Sequence, residues 1–375
     1  MIHYIGTFTT YPDKRNYNFA PSGVSKMDYI ISTLSTMSNE SCIYVPHISR
    51  NKALKYYPAF TEDYNGVKVL YERTFGVPNL FLKIIAVLFS YYNLIKYILK
   101  VGKDDIVLLY HSKSFSKIIR FLRNIKKFKL IIEVEEIYSA VYNKSLKEIN
   151  REIKSISNAD GYIYVNEIMN DIFSFNKPYA LAYGDYRITS EFINKKNINN
   201  KVKLIYAGVI SSPGSDVYSA IKVIEYLPEN YYLEIAGYGS KENINTLMET
   251  IKDNKKVKYV NNLWGQEYED FLSDSNFGFA IRDITISQYY SFPSKVMIYL
   301  THGIIPICSP LKCLTESRVA KSVIFVESNN FEDIAKQILD TDRFKDIDIN
   351  KNISDLDDEF KAKFNQLIEI VSKKQ

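Results

Sequence analysis

Short apolar runs alternate with helix-like segments along most of the 375 residues, and this alternation limits the possible folds more than any other feature. Several of the runs lack a polar residue at every second position, which is typical of parallel strands buried on both faces. The pattern therefore predicts βα units and an α/β fold with parallel sheets. In the first half the predicted strands are Ile2–Thr7, Ser41–Val45, Val67–Tyr71, Ile106–Tyr110, Leu130–Val134 and Gly161–Val165, and the predicted helices include Val24–Met37, Leu80–Leu99 and Phe115–Ile125.

The alternation stops at Tyr186–Val202, a polar stretch rich in Asn and Lys, and then starts again. A chain of this length suits two domains of roughly 150–200 residues each. We predict a Rossmann-like domain over 1–190, a linker over 191–202, a second Rossmann-like domain over 203–350 and a C-terminal helix over 351–375 that crosses back to the first domain. Two parallel sheets that face each other across a cleft would hold ligands at the carboxyl ends of their strands. The strands of the second half are predicted at Lys203–Gly208, Tyr232–Ala236, Val257–Val260, Phe277–Ile281, Ile304–Cys308 and Val323–Val326.

The composition is that of a soluble globular protein with a small positive net charge of +5, and a cytoplasmic location is expected. The N-terminus runs directly into a strand pattern without a basic segment or a cleavage site, so no signal peptide is predicted. Three cysteines without metal-binding spacing are expected to be reduced thiols. The four histidines are scattered, so neither a metal site nor a cofactor is expected.

Two adjacent segments of the first half are unusually basic or apolar. Lys113–Lys129 carries seven Lys or Arg residues and no acid, and Leu80–Lys100 is strongly apolar. Lys83, Ser90, Asn93 and Lys96 interrupt the apolar segment, and it lies between two strands of one sheet, which argues against a transmembrane helix. Two interpretations remain open: residues 80–129 contact an anionic membrane, or they form core-packed helices with a solvated basic face. A nucleic-acid partner is not expected because no binding motif accompanies the basic run.

Two glycine-containing segments of the second half follow predicted strands. Gly208 precedes the small-residue loop Val209–Asp216, and such a loop before a helix can present backbone N–H groups to an anion, although an ordinary βα turn has the same composition. Gly237-Tyr238-Gly239 starts like a dinucleotide fingerprint, but Glu242 takes the place of the third glycine, so NAD is disfavoured.

The stretch Phe277–Pro310 offers the clearest binding pattern. Its strand ends at Arg282, and Ser291-Phe-Pro-Ser-Lys295 follows, where Ser291 suits a helix cap and Pro293 the first helical turn. A helix N-terminus with Lys295 in its first turn and Arg282 at a strand end would form a pyrophosphate clamp. The alternative is a capped helix with two ordinary surface cations.

These segments resemble the GT-B glycosyltransferases, in particular glycosyltransferase family four and its relatives in bacterial capsule, exopolysaccharide and O-antigen synthesis. The resemblance rests on Gly161-Tyr-Ile-Tyr-Val165, Tyr206-Ala-Gly208, Leu233–Gly239 and Ser291–Lys295 followed by Tyr299–Gly303. It implies transfer of a sugar from a nucleotide diphosphate sugar, usually a UDP-sugar, to a hydroxyl of a lipid-linked glycan. It also implies metal-independent, retaining chemistry, with the donor in the C-terminal domain and the acceptor in the N-terminal domain.

The resemblance also implies roles for individual residues of the second half. Arg282, Ser294 and Lys295 would hold the donor diphosphate. Gly237, Tyr238, Gly239 and Trp264 would lie near the nucleoside, and a loop at Ser22-Gly23 would close over the phosphates or the sugar.

The sequence departs from the family pattern at two places where glutamates are common. They are Tyr290 and Ile298 here, so the ribose contact would fall to Gln288 or Tyr299 and the stereochemistry is open. A basic residue is also common directly after the strand that ends at Gly208, where this chain has Val209.

Polar residues also follow two strands of the first half. His111 follows one strand and Glu135-Glu136 another, and both strand ends should face bound ligands. His111 would contact the donor sugar or the acceptor, and Glu135 or Glu136 would hydrogen-bond an acceptor hydroxyl or act as the base. The alternative for each is a structural polar residue at a strand end.

Three functions are compatible with these patterns: a sugar transferase, a nucleotide-sugar epimerase on the same fold, and a GT-B-like binding subunit without catalysis. An epimerase would need a cluster of carboxylates and histidines, and the sequence offers few of them. A metal-dependent GT-A enzyme would need a central Asp-x-Asp, whereas Asp346-Ile-Asp348 and Asp355-Leu-Asp357 lie in the polar C-terminal region.

Overall fold

The structure is a computed structural model that describes residues 1–10, 19, 21–37, 40–46, 48–189, 201–211, 216–326, 330–340 and 347–373. Most of the predicted linker over 191–202, residues 212–215 of the predicted anion-binding loop and Asp346 lie outside the described residues. The chain divides into two compact units. Unit 1 comprises Met1–Asp185, Tyr289–Phe292 and Asp358–Gln375, and unit 2 comprises Tyr186–Gln288 and Pro293–Asp357.

Unit 1 is built on a mainly parallel sheet. Its described strands are β1 (Ile2–Ile5), β2 (Ser41–Val45), β3 (Tyr56–Tyr57), β4 (Phe60–Tyr64), β5 (Val67–Tyr71), β6 (Thr74–Phe75), β7 (Ile106–Tyr110), β8 (Lys129–Val134), β9 (Gly161–Tyr164) and β10 (Tyr179–Leu181). Eight of them form the sheet in the order β10-β9-β8-β7-β1-β2-β5-β4, while β3 and β6 pair separately. The predicted strands of this half are confirmed, and β1, β7 and β8 are buried along nearly their whole length, as parallel central strands should be.

The edge of this sheet contains an antiparallel hairpin that was not predicted from the sequence. Strand β4 pairs antiparallel with β5, and the turn between them is Asn65-Gly66. Both turn residues have positive φ, 52° and 79°, which is the geometry that Asn-Gly favours in two-residue hairpins. The Gly66 amide donates to Asp63 Oδ1 at 3.0 Å, which stabilises the turn.

The helices of unit 1 are α1 (Pro21–Ser35), α2 (Leu80–Ile98), α3 (Lys113–Lys126), α4 (Tyr138–Val141), α5 (Leu146–Ile156) and α6 (Glu167–Phe173). Side-chain caps explain where several of them begin. Asn79, Ser112 and Asn166 each accept a first-turn amide, and Ser145 forms a capping box with Glu148. Among the described residues one helix, α2, is long and apolar enough to cross a membrane by length and composition alone.

Unit 2 is built on a fully parallel sheet of described strands. They are β11 (Val202–Ile210), β12 (Tyr231–Gly239), β13 (Val257–Tyr259), β14 (Phe277–Ala280), β15 (Ile305–Cys308) and β16 (Ile324–Phe325), in the order β13-β12-β11-β14-β15-β16. The helices of unit 2 are α7 (Asp216–Ile224), α8 (Lys241–Ile251), α9 (Gln266–Ser273), α10 (Ser294–Thr301), α11 (Lys312–Thr315) and α12 (Phe331–Leu339). The last helix, α13 (Ile349–Ser372), begins in unit 2, and its residues from Asp358 onward belong to unit 1. Two 3₁₀ turns, Ile286–Tyr289 and Ala320–Ser322, complete the described elements.

The strand order in each sheet reverses beside its first strand. In unit 1 the chain runs outward from β1 to β2 on one side and to β7 on the other, and in unit 2 from β11 to β12 and to β14. Such reversal points are where open α/β sheets bind ligands, at the carboxyl ends of the strands. The fold therefore predicts two candidate ligand-binding sites, one at the strand-reversal point of each unit.

Three local predictions are wrong. Strand β11 continues past Gly208 to Ile210, so the predicted loop after Gly208 begins later. Ser22 and Gly23 lie in the first turn of α1 and not in a loop. The N-cap of α10 is Pro293, not Ser291, whose carbonyl instead accepts from Asn166 within unit 1.

Candidate functional site

Lys295 is the central cation of the strand-reversal point in unit 2. It is the second residue of α10, its ammonium lies 3.4 Å from Asp216 Oδ2, and it covers the Tyr206 ring at 4.0 Å from the centroid. Tyr206 in turn donates its hydroxyl hydrogen to Asp216 Oδ1 at 2.9 Å. The ends of β11, α7 and α10 thus meet around a lysine whose side chain is only 17% exposed.

Burial lowers the pKa of Lys295; the Asp216 carboxylate opposes this shift, and the positive charge of Arg282 adds to it. The positive charges of Lys295 and Arg282 repel each other. A dianion bound between them would relieve this repulsion and would be stabilised by both charges. Burial and the Asp216 carboxylate raise the pKa of Tyr206, and the positive charge of Arg282 opposes that rise.

Arg282 is held at the carboxyl end of β14 through its backbone. Its amide donates to Ser309 Oγ at 2.9 Å, and the Ser309 hydroxyl donates back to the Arg282 carbonyl at 2.5 Å. The Arg282 side chain is exposed, and none of the described residues forms an ion pair with it. A guanidinium fixed at its base and open at its tip is suited to bidentate contact with a phosphate.

Helix α10 begins without a side-chain cap. Pro293 is the N-cap residue and Ser294 the first helical residue, and no side chain among the described residues accepts a first-turn amide. First-turn amides and the helix dipole favour an anion at such an end. Arg282, Ser294 and Lys295, predicted as the diphosphate-binding residues, are therefore brought together in one part of unit 2.

The glycines at the end of β12 are explained by the neighbouring strand. A Cβ at Gly237 would overlap the carbonyl oxygen of Gly208, its partner across the β11–β12 ladder, and one at Gly239 would overlap that of Ile210. Close backbone packing therefore requires these two glycines whether or not a ligand approaches them.

Two exposed aromatic side chains lie where the nucleoside was predicted. Tyr238 is 51% and Trp264 is 41% exposed. The Gly237 amide donates to the Asn261 carbonyl at 3.0 Å and Tyr259 donates to the Gly237 carbonyl at 3.0 Å, so the loop before Trp264 is held against the end of β12. Exposed aromatics at a strand end can stack on a base.

Tyr299, predicted near the ribose, is a core residue. It is fully buried, its ring packs against Gly278, and its hydroxyl accepts from the Ala207 amide and donates to the Phe279 carbonyl, each at 3.3 Å. Of the two positions where the family carries glutamates, Tyr290 packs in unit 1 on Phe173, and Ile298 lies half-buried on α10.

Glu135 of unit 1 belongs to a buried charged network that the sequence did not reveal. Lys26 of α1, 3% exposed, forms an ion pair with Glu135 and donates to the Ala182 carbonyl at 2.5 Å. Glu133 is fully buried and accepts a hydrogen bond from Tyr4. Burial, followed by the negative charge of Glu135, raises the pKa of Glu133 to about 8. The strand-reversal point of unit 1 therefore holds one carboxylate paired with lysine and one whose protonated form is favoured by burial.

Glu136 and Gly23 lie at the same end of unit 1. Glu136 is half-buried next to Glu135. A Cβ at Gly23 would lie 2.8 Å from the Tyr110 hydroxyl, so α1 approaches the end of β7 closely at this glycine.

His111 occupies a structural position. It is 1% exposed, its Nδ1 lies 2.8 Å from Ser116 Oγ, and its Nε2 lies 3.0 Å from Glu152 Oε1. Glu152 also accepts the amides of Tyr138 and Ser139, both at 2.9 Å. Burial raises the pKa of Glu152, but hydrogen bonds from His111 and Ser139 outweigh it and lower that pKa to about 2. Both ring nitrogens of His111 are thus engaged within the protein.

Comparison with known proteins gives matches at the level of structure. Neither a protein-family model nor a curated protein matches the sequence. Trehalose-6-phosphate synthase from E. coli bound with UDP-2-fluoro glucose matches with a TM-score of 0.68, covering 100% of this chain and 99% of that one at 9% identity.

Two further solved structures match over nearly their full length. HepE from Anabaena in complex with UDP and glucose matches with a TM-score of 0.62 over 98% of both chains, at 12% sequence identity. A chain of the glycosylation-associated Gap123 complex from Streptococcus agalactiae matches with a TM-score of 0.60 over 100% of both chains, at 13% sequence identity.

The chain has the GT-B fold. This agrees with two parallel sheets that each reverse strand order, and it confirms the predicted fold class. At these identities the likeness establishes the fold, so the chemistry has to be argued from the side chains. In the described part of the chain, no group of three or more His, Cys, Asp or Glu side chains is arranged to hold a metal ion.

Proposed function

We propose that this GT-B protein is a glycosyltransferase that binds the diphosphate of a nucleotide sugar at Lys295, Arg282 and the N-terminus of α10. The observation that supports it most is the convergence of a desolvated lysine, an exposed arginine and an uncapped helix at the strand-reversal point of unit 2. Two cations against the single Asp216 carboxylate leave a net positive charge, which suits a diphosphate.

The chemistry follows from this binding mode. An acceptor hydroxyl oxygen forms a bond to the anomeric carbon, and the bond from that carbon to the diphosphate oxygen breaks. The leaving nucleoside diphosphate keeps the electron pair, and Lys295 and Arg282 stabilise the charge that develops on it. The hydroxyl proton passes to a carboxylate or to the departing phosphate, and Glu135 and Glu136 remain the proposed carboxylates in unit 1.

The donor is proposed to be a UDP-sugar, since the E. coli and Anabaena structures of the same fold were determined with UDP compounds. Tyr238 and Trp264 would stack on its base. The acceptor is proposed to be a lipid-linked glycan of a bacterial surface polysaccharide, bound in unit 1, with membrane contact through residues 80–129.

A second candidate is a GT-B subunit that binds without catalysis. It is favoured by Tyr290 and Ile298, neither of which can supply a carboxylate. The structural match to a glycosylation-associated complex is in line with this candidate.

The test is a thermal-shift screen of the purified chain against UDP, GDP, ADP and CMP, followed by assays of diphosphate release from the corresponding sugars. A shift with one nucleotide and release of that nucleotide in the presence of a glycan acceptor would support the transferase. A shift without turnover with any acceptor tested would favour the binding subunit. No shift with any nucleotide would contradict the transferase and would favour a binding subunit whose ligand is a partner or a glycan.

A further inference from the structure

Helix α2 of unit 1 is apolar on its exposed side as well as on its buried side, where Ala86, Leu94 and Ile98 pack. The side chains that it buries include Ser90 and Asn93, and Asn93 donates to the Arg73 carbonyl at 3.4 Å. The side chains that it exposes are large and apolar: Leu80, Phe81, Ile84, Leu88 and Tyr92 are each more than half exposed. A surface helix of a protein in water ordinarily exposes polar side chains, so the exposed face of α2 is suited to an apolar partner.

The neighbouring helix extends the same surface. Helix α3 packs on α2, with the rings of Tyr91 and Phe115 in edge contact at 6.0 Å, and α3 packs on α5 on its other side. Phe121 and Ile125 of α3 are 64% and 59% exposed. The outer face of the α2–α3–α5 layer is therefore apolar over α2 and part of α3.

A basic cavity lies between α3 and α5. Its volume is ≈ 330 Å³, and its lining residues are Lys117, Arg120, Phe121, Asn124, Arg151, Lys154 and Ser155. Four of these are cations and none is an acid. None of the described residues forms an ion pair with Lys117, Arg151 or Lys154. Arg120 donates to the Lys154 carbonyl at 3.0 Å, which fixes one wall.

We propose that the outer face of the α2–α3–α5 layer docks on a bilayer of anionic phospholipid, with a lipid phosphate in the cavity between α3 and α5. Apolar side chains beside a cation cluster match the two parts of such a surface, the acyl chains and the phosphate layer. The basic and the apolar side chains lie on the outer face of the same helical layer. The protein can therefore contact the acyl chains and the phosphate layer of the bilayer at the same time. Helix α2 lies on the bilayer and does not cross it, because Ser90, Asn93 and Leu94 pack inside unit 1.

This inference deepens the proposed membrane contact and rests on it, but it does not depend on sugar transfer. A docked unit 1 would hold the acceptor-binding domain at the place where a lipid-linked acceptor is found. The surface thus favours lipid-linked acceptors over soluble ones.

The test is flotation of the full chain with vesicles of phosphatidylcholine alone or mixed with phosphatidylglycerol, without nucleotide. We expect the chain to bind the anionic vesicles and to bind the neutral vesicles at least about tenfold more weakly, because its Lys and Arg side chains are attracted to anionic headgroups. Two double variants test the two parts: Phe81→Glu with Leu88→Glu, and Lys117→Glu with Arg151→Glu. Each should lose binding about tenfold or more.

The matched controls lie on α8 of unit 2 and directly after it. Lys241→Glu with Lys252→Glu makes the same change in net charge at exposed lysines, and Met248→Glu changes an exposed apolar residue. Both should bind vesicles as the parent does. Equal binding to neutral and anionic vesicles, parent-like binding by either double variant, or inorganic phosphate binding without vesicle binding would overturn the proposal.

UDP affinity, measured on the same variants in vesicle-free buffer, separates this proposal from the proposed function. A chain that floats but does not bind UDP contradicts the transferase alone. A chain that binds UDP but does not float contradicts the docking surface and the proposed membrane contact, and leaves the transferase untouched.

Discussion

The ammonium of Lys295 fills the space that a side chain at Gly208 would need: a Cβ built on Gly208 lies 2.6 Å from Lys295 Nζ. The lysine therefore reaches the end of β11 only because residue 208 lacks a side chain. Val209, at the position where many glycosyltransferases that the sequence resembles carry a basic residue, is exposed. Lys295 thus places a cation beside the same strand end from a different element.

Gly208→Ala should displace Lys295 and weaken UDP binding by about tenfold, because the new methyl group competes with the ammonium for one space. The φ of Gly208 is +158°, so a modest loss of stability is also expected. Isothermal titration with UDP and urea unfolding measure the two effects.

Gly66→Ala is the matched control for this substitution. Gly66 has a positive φ of 79°, a Cβ at this position would meet no described atom within 4 Å, and the residue lies in unit 1. We expect a loss of about 1 kcal/mol in the free energy of unfolding with unchanged UDP affinity. Similar UDP affinity in Gly208→Ala and Gly66→Ala would count against the role of the space at Gly208.

Trp264 is the single tryptophan of the chain, so its fluorescence reports on one place in unit 2. If a uracil base stacks beside it, UDP should change the emission intensity saturably, whereas phosphate or glucose alone should not. Tyr238→Ala should weaken UDP binding by about 1–3 kcal/mol, the range for one base–aromatic stack. An unchanged spectrum at UDP concentrations that saturate binding in calorimetry would remove Trp264 from the nucleoside site.

The fold could be predicted because the alternation of apolar strands and helices recurs along most of the chain. Central strands such as Ile106–Tyr110 and Phe277–Ala280 are apolar without alternation, and that pattern has few interpretations apart from a parallel sheet covered by helices. Strand positions were predictable for the same reason. The hairpin at Asn65-Gly66 was missed although its turn sequence signals it. Its second strand, β5, was predicted, but its first strand, β4, stands at the sheet edge and contains the polar run Thr61-Glu62-Asp63.

The site was predictable only in part, because contacts between distant residues leave no local pattern. Arg282 and Lys295 stand near strand and helix ends, and such ends can be located from the sequence. Asp216, Tyr206 and the occupied space at Gly208 depend on packing across β11 and α10. Tyr299 illustrates the reverse case: its place beside the motif suggested a ligand contact, whereas Gly278 opens a core position for its ring.

Glu133→Gln should make the free energy of unfolding less sensitive to rising pH between the acidic and the mildly alkaline range. Burial holds the carboxyl protonated in the folded state up to a pKa of about 8, while the unfolded chain ionises near 4.5, so unfolding releases a proton between these values. The parent should therefore lose stability as pH rises through that window. Between about pH 5 and about pH 8.5, the free energy of unfolding of the glutamine variant should rise by on the order of 2 kcal/mol relative to that of the parent.

Glu135→Gln is the comparison for that experiment. It leaves Lys26 buried without its carboxylate, so it should destabilise the protein by about 3 kcal/mol. Urea midpoints across the pH range give both results. A pH-independent difference between Glu133→Gln and the parent would show that Glu133 is ionised in the folded protein.

Glu152→Ala should destabilise unit 1 without affecting UDP affinity. It removes the acceptor of the His111 ring and of the Tyr138 and Ser139 amides, and unsatisfied buried donors cost about 1–3 kcal/mol each. Urea unfolding measures the loss, and calorimetry checks the affinity. A His111→Ala variant that keeps parental stability yet loses turnover would instead restore the predicted substrate contact for His111.

The central claim is that Lys295 and Arg282 hold a diphosphate, and calorimetric titration of UDP into the parent, Lys295→Ala and Arg282→Ala tests it most directly. Each lost charged contact should weaken binding by about 10–100-fold, with thermal stability little changed. Lys241→Ala, an exposed lysine of α8, should bind as the parent does. UDP binding by the parent with parental affinity in both site variants would contradict the account.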